Sequence, residues 1–338
     1  MNETYKSAGV DIERADVLKS KIKEIAKRTM KKYVIHGIGP FAAVLKMPSE
    51  LVVATCDGVG TKIALAQEYG KVEVLGYDLV AMNVNDIIAM HGKPIFFLDY
   101  IGIPNLDVTD IEKIVKSMSD ACLESDCSLV GGETAQMPNF YLENRFELVG
   151  FCVGSVKKKD LPKKEKVKPG DIVLAFPSNG VHSNGFSLIR KLIEEKKINP
   201  DDKINNEKVI DILLRPTKIY VRNFFEIVKK FGYPKISANI TGGGIPGNLS
   251  RMLPEKCSAV IDKKTLEFLS DKFCSGIFSY ISRFVPESEM FKVFNMGSGF
   301  VLVYSEKKAN EILKKMKDKI FKIGYISDKK SKERVIIN

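Results

Sequence analysis

Apolar and polar positions switch between two periods along the chain. Ala15 to Lys32 places Val17, Leu18, Ile22, Ile25 and Ala26 at helical core spacing, which predicts a basic amphipathic helix. Gly37-Ile38-Gly39-Pro40 then breaks the chain. Phe41 to Met47 and Leu51 to Cys56 are short β-rich runs that predict a pair of strands. The second passes through Asp57-Gly58-Val59-Gly60 into a helix, with Thr61 as N-cap and Ile63, Ala64 and Ala66 as helix formers. Gly76 to Gly92 is apolar almost all round, so its helix should be buried. Strands follow at Ile95–Ile103 and Ser128–Val130, separated by an amphipathic helix from Val108 to Ser125. The second strand ends in Gly131-Gly132-Glu133-Thr134, which repeats the order of strand, glycines and carboxylate, and Phe146 to Val156 is a further strand.

The charge-rich, proline-containing segment from Lys157 to Asp171 is the best domain boundary, and its lysine run reads as a solvated linker. Beyond it, Ile172 to Phe176 predicts a strand, Ser178 to Gly185 a Gly/Ser/Asn loop, and Phe186 to about Glu195 a helix. Helices are predicted near 206–214, 217–231 and 306–317, and strands at 236–240, 257–262, 299–304, 320–326 and 334–337. Ile236 to Ile240 leads into Thr241-Gly242-Gly243-Gly244. Strands alternate with helices in both halves, so the class is α/β or α+β, in two domains, 1–165 and 166–338.

Composition agrees. A chain of 338 residues exceeds what one core usually serves, and 44% hydrophobic with 28% charged residues is ordinary for a globular protein. No apolar run approaches the roughly 20 residues that span a bilayer, and MNETYKSAGVD has no signal-peptide core. The six cysteines include no CxxC and no zinc spacing, so free thiols in a reducing cytoplasm are expected. The net charge of +11 comes from lysines scattered among acids, without an aromatic-interleaved basic run, so neither nucleic acid nor membrane is an expected partner.

The candidate chemistry gathers at glycine-bearing strand ends. Bare N–H groups at a helix start, together with Lys62, attract phosphate oxygens. Asp57 would repel phosphate unless a divalent cation lay between them, which suggests a metal–nucleotide site. An ordinary Asp-Gly turn has the same residues, and the spacing is not that of a Walker A loop. In the apolar 76–92 segment, Asn83 and Asp86 share a face; Asp86 is either a metal ligand or an ordinary hydrogen-bond acceptor, and Asp78 is a possible helix cap. The Ser178–Gly185 loop suits an anion at a helix start, with Arg190 one turn in. His182 is open between phosphate donor, proton shuttle and loop packing. His36 and His91 read as structural, Asp99 as a hydrogen-bond group and Cys56 as packing.

Taken in order, these segments resemble the aminoimidazole ribonucleotide synthetase (phosphoribosylformylglycinamidine cyclo-ligase) family over nearly the whole chain. The resemblance rests on Tyr5-Lys6-Ser7-Ala8-Gly9-Val10-Asp11-Ile12, Asp57 to Lys62, Asp78-Leu79-Val80-Ala81-Met82 with Asn85-Asp86, and Phe96 to Tyr100. It continues through Cys127 to Thr134, His182 to Gly185, Arg215-Pro216-Thr217 and the Thr241 glycines. It implies a cytoplasmic homodimer whose N-terminal sheets pair into a shared barrel, with ATP and Mg2+ bound in a cleft facing the C-terminal domain. It implies cyclisation of formylglycinamidine ribonucleotide in purine biosynthesis, through an iminophosphate, with release of ADP and phosphate. On that resemblance Asp57, Asp86 and Glu133 are the magnesium candidates. Lys23, Gly58, Val59, Gly60, Thr61, Lys62, Gly131, Gly132 and Glu133 are the ATP-side candidates. His182, Ser183, Asn184, Gly185, Arg190, Thr241, Gly242, Gly243 and Gly244 are the ribonucleotide candidates, and Asp57, Lys62 and His182 the catalytic ones. The Tyr5–Asp11 arm is expected to cover the site and exclude water.

Overall fold

The computed structural model describes residues 4, 17, 20, 21, 23–25, 31–104, 108–142, 145–328 and 333–338. The Tyr5–Asp11 arm lies outside the described residues. On the first helix, Val17 and Ile25, expected on its core side, are exposed.

The first half builds one sheet from β1 (Val34–His36), β2 (Ala43–Lys46), β3 (Leu51–Gly58), β4 (Lys93–Ile103), β5 (Ser128–Gln136) and β6 (Glu147–Val156). Its order is β1-β2-β3-β6-β4-β5, antiparallel except for the parallel β4–β5 pair. In the second half, β7 (Ile172–Pro177) is followed by a short ribbon, β8 (Lys203–Ile204) with β9 (Glu207–Lys208). Then come β10 (Ile236–Asn239), β11 (Cys257–Ile261), β12 (Ser298–Tyr304), β13 (Phe321–Asp328) and β14 (Val335–Ile337). The second sheet runs β10-β12-β7-β13-β11-β14, with β11–β14 its one parallel pair. β7 and β12 are buried at every position, because they lie inside the sheet with both faces covered. The two sheets are mainly antiparallel, which puts the chain at the α+β end of its expected class.

The helix Glu73–Ala89 joins the halves. It starts three residues before the expected Gly76 and packs on β3, β4 and β6, on the helix Val108–Glu124, and on β10 and the helix Val221–Phe231 of the second half. Thirteen of its residues are buried, as an all-round apolar helix requires. Gly76 is demanded by the packing: a Cβ there would stand 2.0 Å from the carbonyl oxygen of Ile114. Asp78, Asn83, Asn85 and Asp86 in it all make hydrogen bonds. Asn83 donates to the carbonyls of Leu79 (2.9 Å) and Asp57 (3.3 Å). Asn85 donates to the carbonyl of Lys218 (2.9 Å) and accepts from the N–H of Tyr220 (3.0 Å), so it ties two turns of backbone in the second half. Asp78 lies one turn inside the helix rather than at its cap, and pairs across the halves.

Two expectations change. β5 runs straight through Gly131-Gly132-Glu133-Thr134, so this stretch is an edge strand and not a glycine loop. Helices at Lys263–Phe273, Ile277–Ile281 and Glu287–Val293 were absent from the periodicity reading. Their first signal is Asp262, whose carboxylate accepts from the N–H of Lys264 (3.1 Å) as an N-cap. All six cysteines are free thiols.

His91 is structural, as expected. It sits behind the helix Glu73–Ala89, stacked on Tyr233 at 5.2 Å, with Nδ1 2.7 Å from the carbonyl oxygen of Asp160. Burial lowers its pKa from 6.5 to about 4. Between these values the unfolded chain holds a proton on this ring that the folded protein does not, so acid favours unfolding. Wild type should therefore lose stability relative to His91→Phe as pH falls from 6.5 to about 4, by about 1.4 kcal/mol per pH unit, in urea melts across that range. A wild-type-to-variant difference independent of pH would contradict a buried neutral imidazole.

Candidate active site

A cleft of about 410 Å³ opens where the end of β3 meets the loops of the second half. One wall is Asp57, Gly58, Val59, Gly60 and Thr61; the other is Ser183, Asn184, Gly185, Phe186 and Ser187, with Thr241 and Gly242. Met82, from the helix Glu73–Ala89, lies between them. The two glycine loops meet directly: Thr61 Oγ1 is 3.1 Å from Ser187 Oγ. Thr61 holds the N-cap position of the helix Lys62–Glu68 but makes no capping bond, so its hydroxyl is left for this contact. Gly185 is held at φ +80, and a Cβ there would press 2.3 Å from the Phe294 ring, so only glycine lets the helix Phe186–Glu194 start at the cleft.

Asp57, in the cleft wall, lies near Asp86 of the helix Glu73–Ala89. Burial raises the pKa of Asp57, against the hydrogen bond from Gly58 N–H to its carboxylate (2.8 Å). Asp86 is pushed up to about 8, first by burial and then by the charge of Asp57, against the Asn239 amide that donates to it at 2.8 Å. Two neighbouring carboxylates, both made harder to ionise by burial, form a hard-oxygen donor pair. Among the described residues no cluster of three His, Cys, Asp or Glu side chains forms a closed metal cage. The pair fits magnesium, which takes one or two carboxylates and completes its shell with water and phosphate.

Several expected site residues stand elsewhere. Glu133 is exposed on the edge strand β5. The register row across the sheet runs Asp57, Gly150, Asp99, Gly132, so Gly131, Gly132 and Glu133 lie three strands away, about 14 Å at the usual strand spacing. Lys62 is fully buried and points away from the cleft. Its ammonium lies 2.7 Å from Asp78 Oδ2 and donates to the carbonyl of Arg215 at 2.7 Å. Burial lowers its pKa and the Asp78 carboxylate raises it again, so the lysine is a strut between the halves and not a phosphate ligand. His182 is also buried, at φ +60, with its ring 6.3 Å from that of Tyr220. Burial and the nearby Lys62 and Lys218 charges lower its pKa to about 3. It is a neutral packing residue under the loop, and neither a cationic phosphate donor nor a shuttle at neutral pH.

Arg190 turns to Glu194 (3.7 Å) on the outer face of its helix. Gly243 and Gly244 fall behind the cleft, and a Cβ on Gly244 would strike the Phe291 carbonyl at 1.9 Å, so these glycines serve packing. Lys23 is exposed outside the cleft, its ammonium 3.9 Å from where a Cβ on Gly39 would stand. The residues unforeseen in sequence are Met82, Phe186, Ser187 and Asn239. Ser187 carried a signal, since it falls in the first turn after an anion-type loop; Met82 and Asn239 did not, because distant packing alone aims them.

The chain has relatives throughout its length. Residues 39–156 match the family described as AIR synthase related protein, N-terminal domain, and residues 168–337 its C-terminal domain. A phosphoribosylformylglycinamidine cyclo-ligase of Syntrophus aciditrophicus is 41% identical over 96% of this chain and 95% of its own. One of Clostridium novyi is 42% identical over 96% of each. Among solved structures, AaThiL complexed with AMPPCP and TMP superposes with a TM-score of 0.65 at 20% identity over 94% of this chain and 91% of that one. A HypE–HypF complex gives 0.66 at 20% identity over 94% and 95%. Those two likenesses carry the fold, while the sequence relatives carry the family. With both halves matched and its cleft built where they meet, the chain belongs to the AIR synthase related family, among the phosphoribosylformylglycinamidine cyclo-ligases.

Proposed function

We propose that the protein converts formylglycinamidine ribonucleotide and ATP to aminoimidazole ribonucleotide, ADP and phosphate in purine biosynthesis, and that the reaction takes place in this cleft. The observation that supports it most is the meeting of two glycine loops, one from each half, at Thr61 and Ser187 in a chain 41% identical to a cyclo-ligase. A reaction that joins a nucleotide triphosphate to a second phosphorylated substrate needs two anion-binding backbones facing each other.

An amide oxygen is a poor leaving group. Transfer of the γ-phosphoryl to the formyl oxygen gives an iminophosphate; the amidine nitrogen attacks its carbon, closes the five-membered ring and expels phosphate. Such a transfer asks the protein mainly for positioning and charge neutralisation. The N–H groups of Val59 to Thr61 would take ATP phosphate oxygens, and those opening the helix Phe186–Glu194, with the Thr61 and Ser187 hydroxyls, the phosphoryl group in transit. Asp57 and Asp86 would hold magnesium, which when bound neutralises phosphate charge. Asn184, Thr241 and Gly242 would line the ribonucleotide side. Phe186 and Met82 narrow the cleft and keep water from the reacting oxygen.

The proposal includes a homodimer joined through the first sheet. The face of that sheet away from the helices exposes Ile95 and Phe151, and the edge strand β5 exposes Val130. A sedimentation mass of twice 37.8 kDa is expected, and a monomer at micromolar concentration would remove this part. The activity is checked by mixing protein, ATP, magnesium and formylglycinamidine ribonucleotide and following ADP and aminoimidazole product. ADP release that ignores the ribonucleotide would overturn the assignment. Asp57→Asn should abolish turnover yet raise the melting temperature without metal by about 2–4 °C, because one of two crowded carboxylates is gone. Wild-type turnover in that variant would remove the metal role.

A further inference from the structure

Behind the cleft, a chain of hydrogen bonds has a fixed direction. Asp78 accepts at both oxygens: Oδ2 faces the Lys62 ammonium at 2.7 Å, and Oδ1 faces the Thr217 N–H at 2.7 Å and the Thr217 hydroxyl at 2.6 Å. A hydroxyl has one proton. The Thr217 proton therefore goes to Asp78, and Thr217 Oγ1 can only accept from its other neighbour. That neighbour is Ser183 Oγ, 2.9 Å away, which must donate. Ser183 lines the cleft, and Thr217 and Asp78 are buried beneath it. With its proton turned inward, Ser183 shows the cleft only lone pairs.

We infer that Ser183 is a specificity-determining residue that accepts a hydrogen bond from an N–H or O–H of the bound ribonucleotide, and that it does not hold the phosphate. The inference rests on the proposed reaction for the identity of the ligand, but its logic is that of the donor count. A phosphate monoester at neutral pH offers mainly acceptor oxygens, and an acceptor-only serine repels it. The amidine N–H groups, the formamide N–H and the ribose hydroxyls are donors. Phosphate has other partners in the same cleft, the N–H groups at Val59–Thr61 and at the start of the helix Phe186–Glu194. The relay also sets Thr217 and Asp78 as positioning residues: they touch no ligand, but they decide which way the serine proton points. Lys62 keeps Asp78 in place, which links the phosphate loop of the first half to the Ser183 loop of the second.

The test compares formylglycinamidine ribonucleotide with the ribonucleoside that lacks its phosphate, each titrated calorimetrically into wild type and Ser183→Ala. Loss of one hydrogen bond should weaken both ligands by about tenfold, with or without the phosphate. Thr217→Val, which removes the acceptor for the serine proton, should weaken both as well, and Thr217→Ser, which keeps a hydroxyl, should restore them. A Ser183→Ala penalty confined to the phosphorylated ligand would overturn the inference, as would unchanged binding in Ser183→Ala or in Thr217→Val. A wild-type protein that binds neither ligand and makes no aminoimidazole product would instead overturn the functional reading beneath it.

Discussion

A buried ion pair, Lys62 with Asp78, holds the two halves of the molecule in register. Neither side chain has any exposure. Taking both charges out of water is costly, and the cost is offset by further polar partners, the Arg215 carbonyl on the lysine side and Thr217 on the carboxylate side. Lys62 opens the helix that follows the Asp57–Thr61 loop, and Arg215 and Thr217 lie just before the helix Val221–Phe231. The pair thus fixes the Asp57–Thr61 loop of the first half against the backbone that supports the Ser183 loop of the second. Asn85, two turns along the same helix face from Asp78, also ties the halves together, with neutral groups. A buried pair adds little net stability over an apolar one, but it accepts only one geometry, and a two-walled cleft needs that.

What the cleft does follows from where charge is left unpaired. The lysine is consumed by the strut, His182 is kept neutral under the loop, and Arg190 faces solvent with Glu194. Facing the cleft are then backbone N–H groups and hydroxyls of the two glycine loops, with the Asp57 carboxylate beside them and Asp86 close to it. That combination suits phosphates that arrive with their own cation. The helix Glu73–Ala89 carries Asp78, Asn83, Asn85 and Asp86 in an otherwise apolar sequence, and each of these ties the helix to a loop lining the cleft or to the other half.

Much of this was legible before the structure. Strands β2, β3, β4, β6, β7 and β12 announced themselves by dense apolar, β-branched runs, and the all-round apolar 76–92 stretch correctly signalled a buried helix. The glycine loops at Asp57–Thr61 and Ser183–Gly185 do face one cleft. What failed shares one cause. Glu133 looked like a loop carboxylate because Gly131-Gly132 reads as a turn, yet an edge strand tolerates glycines and here turns the acid outward. Lys62 looked like a phosphate ligand because its neighbours are; its true partners lie 16 positions away at Asp78 and 153 away at Arg215. Local spacing shows which residues can do chemistry, but the direction in which each points is set by packing over long sequence separations.

The most direct test of whether Lys62 pairs with Asp78 and leaves the phosphates to others is the affinity of a non-hydrolysable ATP analogue, whose phosphates would sit on the first-half loop alone, for the double variant Lys62→Met/Asp78→Asn. The asparagine keeps an oxygen for Thr217, and methionine fills the lysine volume without charge. A folded double variant should bind the analogue within about threefold of wild type, since no phosphate contact has been removed. A loss of more than about tenfold in a variant that still melts cooperatively would contradict it, and would return Lys62 to the phosphates.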